Sequence, residues 1–361
     1  MSEKQALQAI RQKIDDIDLQ VQVLLNQRAN MAQEVANIKI ANGEQTDFYR
    51  PDREAMVLRQ VMERNQGPLD SQEIARLFRE IMSACLAAEK PLQVAYLGPE
   101  GSFTQGATLK QFGGSIAPKP MSTISDVFNA VEQGDANYGV VPVENSTEGM
   151  VSHTLDRFIT TPLKINGEIS LRIHHYLLSK ETSLSDVVKI YSHPQALAQC
   201  RQWLANHCPD CELIAVNSNS KAAEMVASER GSAAIAANKA AEIYYLVTLA
   251  SNIEDEVDNT TRFLVIGRQD ISPSGHDKTA LLVSTKNEPG ALNTILEPLA
   301  KSGITMTRIE SRPSRQGVWE YVFFIDIEGH REDSNIAKAL AELKEASSMF
   351  KVLGSYPKAV L

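Results

Sequence analysis

Charged residues stand where a helix would ordinarily carry apolar ones. Leu7, Ile10, Ile14, Ile17, Val21, Leu24, Met31, Val35 and Ile38 recur at spacings of three and four, and Arg28 falls on that series. A cation on such a face is costly unless it meets an anion or a carboxylate. Lys39 follows Arg28 by eleven residues, so it returns to within about 20° of the same face. Arg11 precedes Arg28 by seventeen residues and lies about 100° away, so one helix cannot easily bring both to one small site. In a paired dimer, Arg11 could complete the partner's site. Arg53-Glu54 adds a cation and a carboxylate. Cys85 and Glu89 extend the apolar face of Ile74, Phe78 and Ile81, which points Glu89 inward. Each charge alone reads as an ordinary helix charge with a snorkelling stem. Four cations and two carboxylates in such positions within about ninety residues suggest a site for a small anion.

A second group of strings sits at the ends of strand-like runs. Gly98-Pro99-Glu100-Gly101-Ser102-Phe103-Thr104 reads as a strand-to-helix turn capped by Ser102 or Thr104, or as an anion site at a helix N-terminus. It is not G-x-G-x-x-G, and no such string occurs elsewhere, which argues against a dinucleotide dehydrogenase. Pro142-Val143-Glu144-Asn145-Ser146-Thr147-Glu148-Gly149, Ser192-His193-Pro194-Gln195 with Gln199, and Asn259-Thr260-Thr261-Arg262-Phe263 accompany three further strands. Hydroxyl, amide and cationic residues at strand ends are what an open α/β sheet uses to hold a small polar anion. His153 and His193 read as hydrogen-bonded loop residues, and His174-His175, in an apolar run, as structural. Cys208-x-x-Cys211 lacks the second pair that a metal site would require, so it reads as spare thiols. Glu288-Pro289-Gly290-Ala291-Leu292 and Glu310-Ser311-Arg312-Pro313 flank a helix and end a strand near the C-terminus.

The elements that must position these residues fall into three parts. The spacing predicts a helix over 5–40, about 50 Å long, whose stripe a ninety-residue unit cannot cover and a partner chain could. A second helix starts at Pro51 and a third at the cap Asp70-Ser71-Gln72-Glu73. After Pro91, strand-like runs (93–97, 138–143, 233–236, 263–266) alternate with helical ones, which reads as α/β with a largely parallel sheet. Segment 268–278 is a linker by composition, and the last eighty residues follow βαββα order with a closing strand near 350–353, a ferredoxin-like sandwich. The expected domains are therefore 1–91, 92–268 and 278–361. With 361 residues, 43% apolar and 22% charged, the chain can form sizeable cores. Its net charge of −9 without a basic block disfavours nucleic acid and anionic membrane. No apolar run approaches the roughly 20 residues of a membrane span. The mixed-charge N-terminus shows no secretory signal and the four cysteines form no disulfide framework, so a cytoplasmic location is expected.

The pattern Arg11, Arg28, Lys39, Arg53-Glu54 and Cys85-x-x-x-Glu89 resembles the all-helical chorismate mutases. The resemblance implies that Arg28 and the partner's Arg11 hold substrate carboxylates and that Lys39 donates to the ether oxygen. Arg53 adds positive charge and Glu54 binds the ring hydroxyl; Cys85 replaces a Ser or Thr, and Glu89 stands where some members have Gln. The strings of 93–267 resemble prephenate dehydratase in order and wording. That family's two α/β lobes resemble a periplasmic binding protein, with the site in the cleft. The resemblance makes Thr261 the residue for the leaving hydroxyl. Arg262 and Phe263 help bind or position substrate, and Glu144, Asn145, Ser192 and Gln199 line the cleft. The C-terminal part resembles the ACT regulatory domain, in which phenylalanine binds near Gly290-Ala291-Leu292 and Glu310-Ser311-Arg312. Chorismate and prephenate are thus the expected substrates, L-phenylalanine the effector, and a homodimer or higher homo-oligomer the expected assembly, with no cofactor and no metal. The alternatives are a prephenate or arogenate dehydratase whose helical domain only dimerises, and a non-catalytic amino-acid sensor.

Overall fold

The computed structural model describes residues 3–42, 49–147, 149–285, 288–313 and 321–361; Glu148 of the second string lies outside them. Three helices form the N-terminal unit: α1 (Glu3–Ala41), α2 (Pro51–Arg64) and α3 (Ser71–Ala87). Pro51 occupies the first turn of α2, where its missing N–H costs nothing, and the Asp70 side chain caps α3 by accepting from the Gln72 N–H. α1 has 39 residues, about 58 Å, and only Ala36 of it is buried. Its apolar stripe is bare: Ile10 is 55% exposed, Ile17 56% and Leu24 62%.

The middle unit contains two mixed sheets, one of six strands and one of five, rather than one largely parallel sheet. In the first, strands run in the order Ala117–Met121, Gln93–Leu97, Tyr138–Asn145, Thr260–Gly267, Lys164–Arg172, with a short strand Gly149–Met150 beside Tyr138–Asn145. In the second the order is Val247–Ser251, Tyr176–Ser179, Ser232–Ala236, Lys189–Ser192, Glu212–Ala215. The chain leaves the first lobe after Arg172 and returns with Thr260–Gly267, which pairs antiparallel with both neighbours. That return is what mixes the sheet. Two crossings, 173–175 and 252–259, therefore join the lobes.

The C-terminal unit has the expected order, with strands Asp277–Thr285, Met306–Pro313, Tyr321–Glu328 and Met349–Pro357 and helices Ala291–Lys301 and Ser334–Ala346. All its strand pairs are antiparallel. Its sheet packs on the first lobe: Leu282, Phe324, Leu353 and Tyr356 share a core with Phe128, Phe158, Ile165 and Leu264. Gly354 crosses the Ile165 backbone so closely that any Cβ would overlap it.

Candidate active sites

The helical unit holds a cavity of about 520 Å³ lined by Arg28, Lys39, Arg53, Glu54, Cys85 and Glu89, with Val35, Met82 and Leu86 supplying apolar wall. Six of the seven residues named from helical spacing thus converge. The seventh, Arg11, lies exposed on α1, about 25 Å along the helix from Arg28. The cavity is closed on one side by Phe112, Ser115 and Ile116 of the middle unit. Glu54 is held by Arg79, at 3.2 Å, and Arg79 also donates to the Lys110 carbonyl at 2.8 Å. Sequence spacing did not single out Arg79. Burial raises the Glu54 carboxyl to about 7, against the pull of Arg79. Burial raises the Glu89 carboxyl too, with Lys39 opposing, and Glu89 Oε2 has no hydrogen-bond partner. Burial thus favours the protonated form of Glu89, the form whose carboxyl can donate a hydrogen bond.

Between the lobes lies a pocket of about 80 Å³ lined by Asn145, Thr261, His175, Asn259, Gln195, Gln199, Asn219 and Phe103. That is smaller than an ordinary ligand pocket of about 300–1,000 Å³, so the lobes stand close together here. The side chains form one hydrogen-bonded row. Asn145 Nδ2 donates to Thr261 Oγ1 and to Asn259 Oδ1, both at 2.8 Å, and Asn259 Nδ2 donates to Gln199 Oε1 at 3.2 Å. His175 Nε2 meets the same Gln199 oxygen at 2.8 Å. Ser192 lies behind this row, donating to Asn219 Oδ1 and the Ile235 carbonyl.

Three residues expected in the cleft are elsewhere, and strand alternation explains two of them. Thr261 pairs with Asn145, and Arg262 with Glu144, across adjacent strands. Successive side chains point to opposite faces, so Asn145 and Thr261 face the cleft while Glu144 and Arg262 face the C-terminal unit. Arg262 bonds Glu168 at 3.0 Å, Asp326 at 2.7 Å and the Tyr356 hydroxyl at 3.1 Å, and Lys278 also pairs with Glu168. Glu144 pairs with Arg308 at 3.5 Å. Phe263 is buried in the first lobe's core. Conversely, His175 is a cleft residue rather than merely structural. Asn259, at the head of the Asn-Thr-Thr-Arg-Phe string, also belongs there. Cys208 and Cys211 are free thiols, and among the described residues no cluster is arranged to hold a metal.

In the C-terminal unit a cavity of about 240 Å³ is lined by Gly290, Ala291, Leu292, Glu288, Tyr321 and Phe323. Glu310, Ser311 and Arg312 lie on Met306–Pro313, one of the two end strands of that sheet. Arg312 reaches back to Asp156 and Ser152 of the first lobe.

Family models describing chorismate mutase type II, prephenate dehydratase and the ACT domain match residues 10–90, 94–271 and 279–345. The chain is 55% identical to a bifunctional chorismate mutase/prephenate dehydratase of Stutzerimonas stutzeri and 53% identical to one of Pseudomonas aeruginosa, over the whole of each chain. Among solved structures, a prephenate dehydratase from Arthrobacter aurescens in complex with L-Phe superposes with a TM-score of 0.69 at 35% identity, covering 74% of this chain and 90% of that one.

Proposed function

The chain belongs to the bifunctional chorismate mutase/prephenate dehydratases and catalyses both reactions in phenylalanine biosynthesis, and we propose that the helical cavity and the interlobe cleft are their two sites. The observation that carries this is the convergence of Arg28, Lys39, Arg53, Glu54, Cys85 and Glu89 on one cavity. A helical domain kept only for dimerisation has no need of that convergence.

The first reaction breaks the ether C–O bond of chorismate and forms a C–C bond in one concerted step, so it needs no nucleophile. Arg28 and Arg11 of the partner subunit hold the two carboxylates and so select the reactive conformer. Lys39 and protonated Glu89 donate to the ether oxygen as negative charge builds there. Glu54, fixed by Arg79, accepts from the ring hydroxyl. The exposed stripe of α1 supports a homodimer paired along this helix, which would bring Arg11 to the partner's cavity.

In the second reaction the ring carboxylate departs as CO₂, its bonding pair moves through the ring, and the C–O bond of the hydroxyl breaks. A proton delivered to that oxygen completes water and leaves aromatic phenylpyruvate. Thr261 Oγ1 accepts from Asn145 Nδ2, which directs the Thr261 hydrogen toward the leaving oxygen and stabilises charge on Oγ1. Phenylalanine binds beside Gly290-Ala291-Leu292, with Glu310, Ser311 and Arg312 supplied across paired C-terminal units. Arg308–Glu144 and the Arg262 cluster connect that region to the strands bearing Asn145 and Thr261.

Purified protein assayed for chorismate loss and phenylpyruvate formation, with and without phenylalanine, tests both site assignments and the effector. Both turnovers are expected, the second suppressed by phenylalanine. Turnover of prephenate but not chorismate would mean that the helical cavity is not a mutase site.

A further inference from the structure

The hydrogen-bonded row in the cleft has a direction, and its origin is a backbone group. The Thr147 N–H meets Asn145 Oδ1 at 3.0 Å. A backbone N–H can only donate, so Oδ1 must be the atom facing it, and the Asn145 amide must turn Nδ2 toward Thr261 and Asn259. Thr261 Oγ1 and Asn259 Oδ1 are then acceptors. Asn259 consequently presents Nδ2 to Gln199, which must answer with Oε1. His175, facing the same oxygen, must carry its hydrogen on Nε2. Burial pushes the His175 imidazole below its ordinary value, which favours the neutral ring, and the neutral ring with its hydrogen on Nε2 has none on Nδ1.

Two consequences reach the substrate. Thr261, having accepted from Asn145, keeps its own hydrogen for the cleft. Gln199, having used Oε1 twice, turns an Nε2 group into the pocket wall, and that buried nitrogen has no hydrogen-bond partner. The opposite polarity would place an acceptor there, against an anionic substrate. His175 Nδ1, also buried and unpartnered, ends the row at the other side.

We propose that Asn259 is a positioning residue of the dehydratase site, transmitting the donor direction set by the Thr147 N–H so that Gln199 presents its amide hydrogens, and Thr261 its hydroxyl hydrogen, to prephenate. This rests on the cleft being the dehydratase site. Asn259 is 2% exposed and lies on the second crossing between the lobes, so the row is assembled where the lobes join.

Asn259→Asp separates direction from shape. The ionised side chain still accepts from Asn145 but opposes Gln199 Oε1 with a second acceptor, forcing the Gln199 amide to flip. The protonated side chain carries one acceptor and one donor, as Asn259 does. Other titratable groups nearby are His175, the exposed Asp258 with its partner Arg172, and Glu254, which bonds His174 and the His175 N–H. All are common to both proteins, so the variant-to-wild-type ratio isolates position 259. At pH 8, prephenate kcat is expected to fall about 100-fold, the usual cost of a misdirected donor, while chorismate turnover by the same molecules stays within twofold. Burial at this 2%-exposed position raises the introduced carboxyl above the ordinary Asp value, so between pH 8 and pH 5.5 the ratio is expected to climb about tenfold as it protonates. Asn145→Asp, tested in the same way, should show the same recovery and covers the case in which Asn259→Asp does not fold. A kcat within twofold of wild type at pH 8, or a loss that stays constant down to pH 5.5, overturns the proposal. Absence of prephenate turnover in the wild-type protein would instead overturn the dehydratase assignment of the cleft.

Discussion

Glu89→Gln gives the sharpest test of the helical cavity. Glu89 lies in the turn just past the end of α3, lining the cavity with Oε2 buried and unpartnered, and burial raises its carboxyl while Lys39 opposes. Only the protonated carboxyl can donate to the ether oxygen. The sign follows directly: the donating form is complete below the raised value and is lost as pH climbs through it. Above that midpoint each pH unit removes a further tenfold of the donating form, and two units correspond to about 2.7 kcal/mol of lost barrier reduction. A glutamine donates through Nε2 at every pH and occupies the same volume. Glu54, raised to about 7 in the same cavity, titrates in both proteins and cancels in their ratio, so the variant-to-wild-type mutase ratio should rise about 100-fold over those two units. Stopped-time chorismate consumption from pH 5 to 9, with prephenate turnover followed in parallel as an internal control, reads this directly. Parallel mutase profiles for the two proteins, or a wild-type rate flat from pH 5 to 9, would falsify the assignment of Glu89 as proton-bearing donor.

Other consequences are equally direct. If Arg11 serves the partner's cavity, mixing inactive Arg11→Ala and Arg28→Ala proteins should restore roughly a quarter of wild-type mutase activity, because half the random dimers carry one intact site of two; no recovery after subunit exchange would refute the shared site. Arg262→Met leaves Glu168 paired with Lys278 but strands Asp326, so unfolding free energy should drop by about 3 kcal/mol, the lower end for a broken buried pair, while prephenate KM stays within threefold. A large KM rise with unchanged denaturant midpoint would return Arg262 to the substrate. Gly290 has φ +83 with open space around an added Cβ, so Gly290→Ala costs only the left-handed conformation, about 1 kcal/mol. Phenylalanine inhibition should weaken several-fold in titrations of prephenate turnover, with uninhibited rates unchanged; an unaltered phenylalanine response would count against the loop as effector site.

Much of this protein can be read from local spacing alone. The three-and-four rhythm from Leu7 to Ile38, with Arg28 and Lys39 on one face, specifies a long helix with cations on it, because helical periodicity is set within a few residues. The cap at Asp70, the proline at position 51 and the βαββα order of the last eighty residues are local in the same sense. The length of α1 and its apolar stripe are legible in the same way, and so is the fact that two short helices cannot cover that stripe. The alternation that separates Asn145 from Glu144 and Thr261 from Arg262 is legible too, but not which face meets the cleft. That was decided by the C-terminal sheet, which covers one side of the strand and offers Asp326, Tyr356 and Arg308 to whatever points there. The mixed sheet depends on the chain's return from the second lobe, and the grip of Arg79 on Glu54 depends on two helices meeting. The row from Thr147 to His175 joins residues up to 116 positions apart. Spacing carries information only over the few residues that share a turn or a pleat. The cleft and the direction of its hydrogen bonds exist only once distant strands lie side by side and each buried donor must find an acceptor.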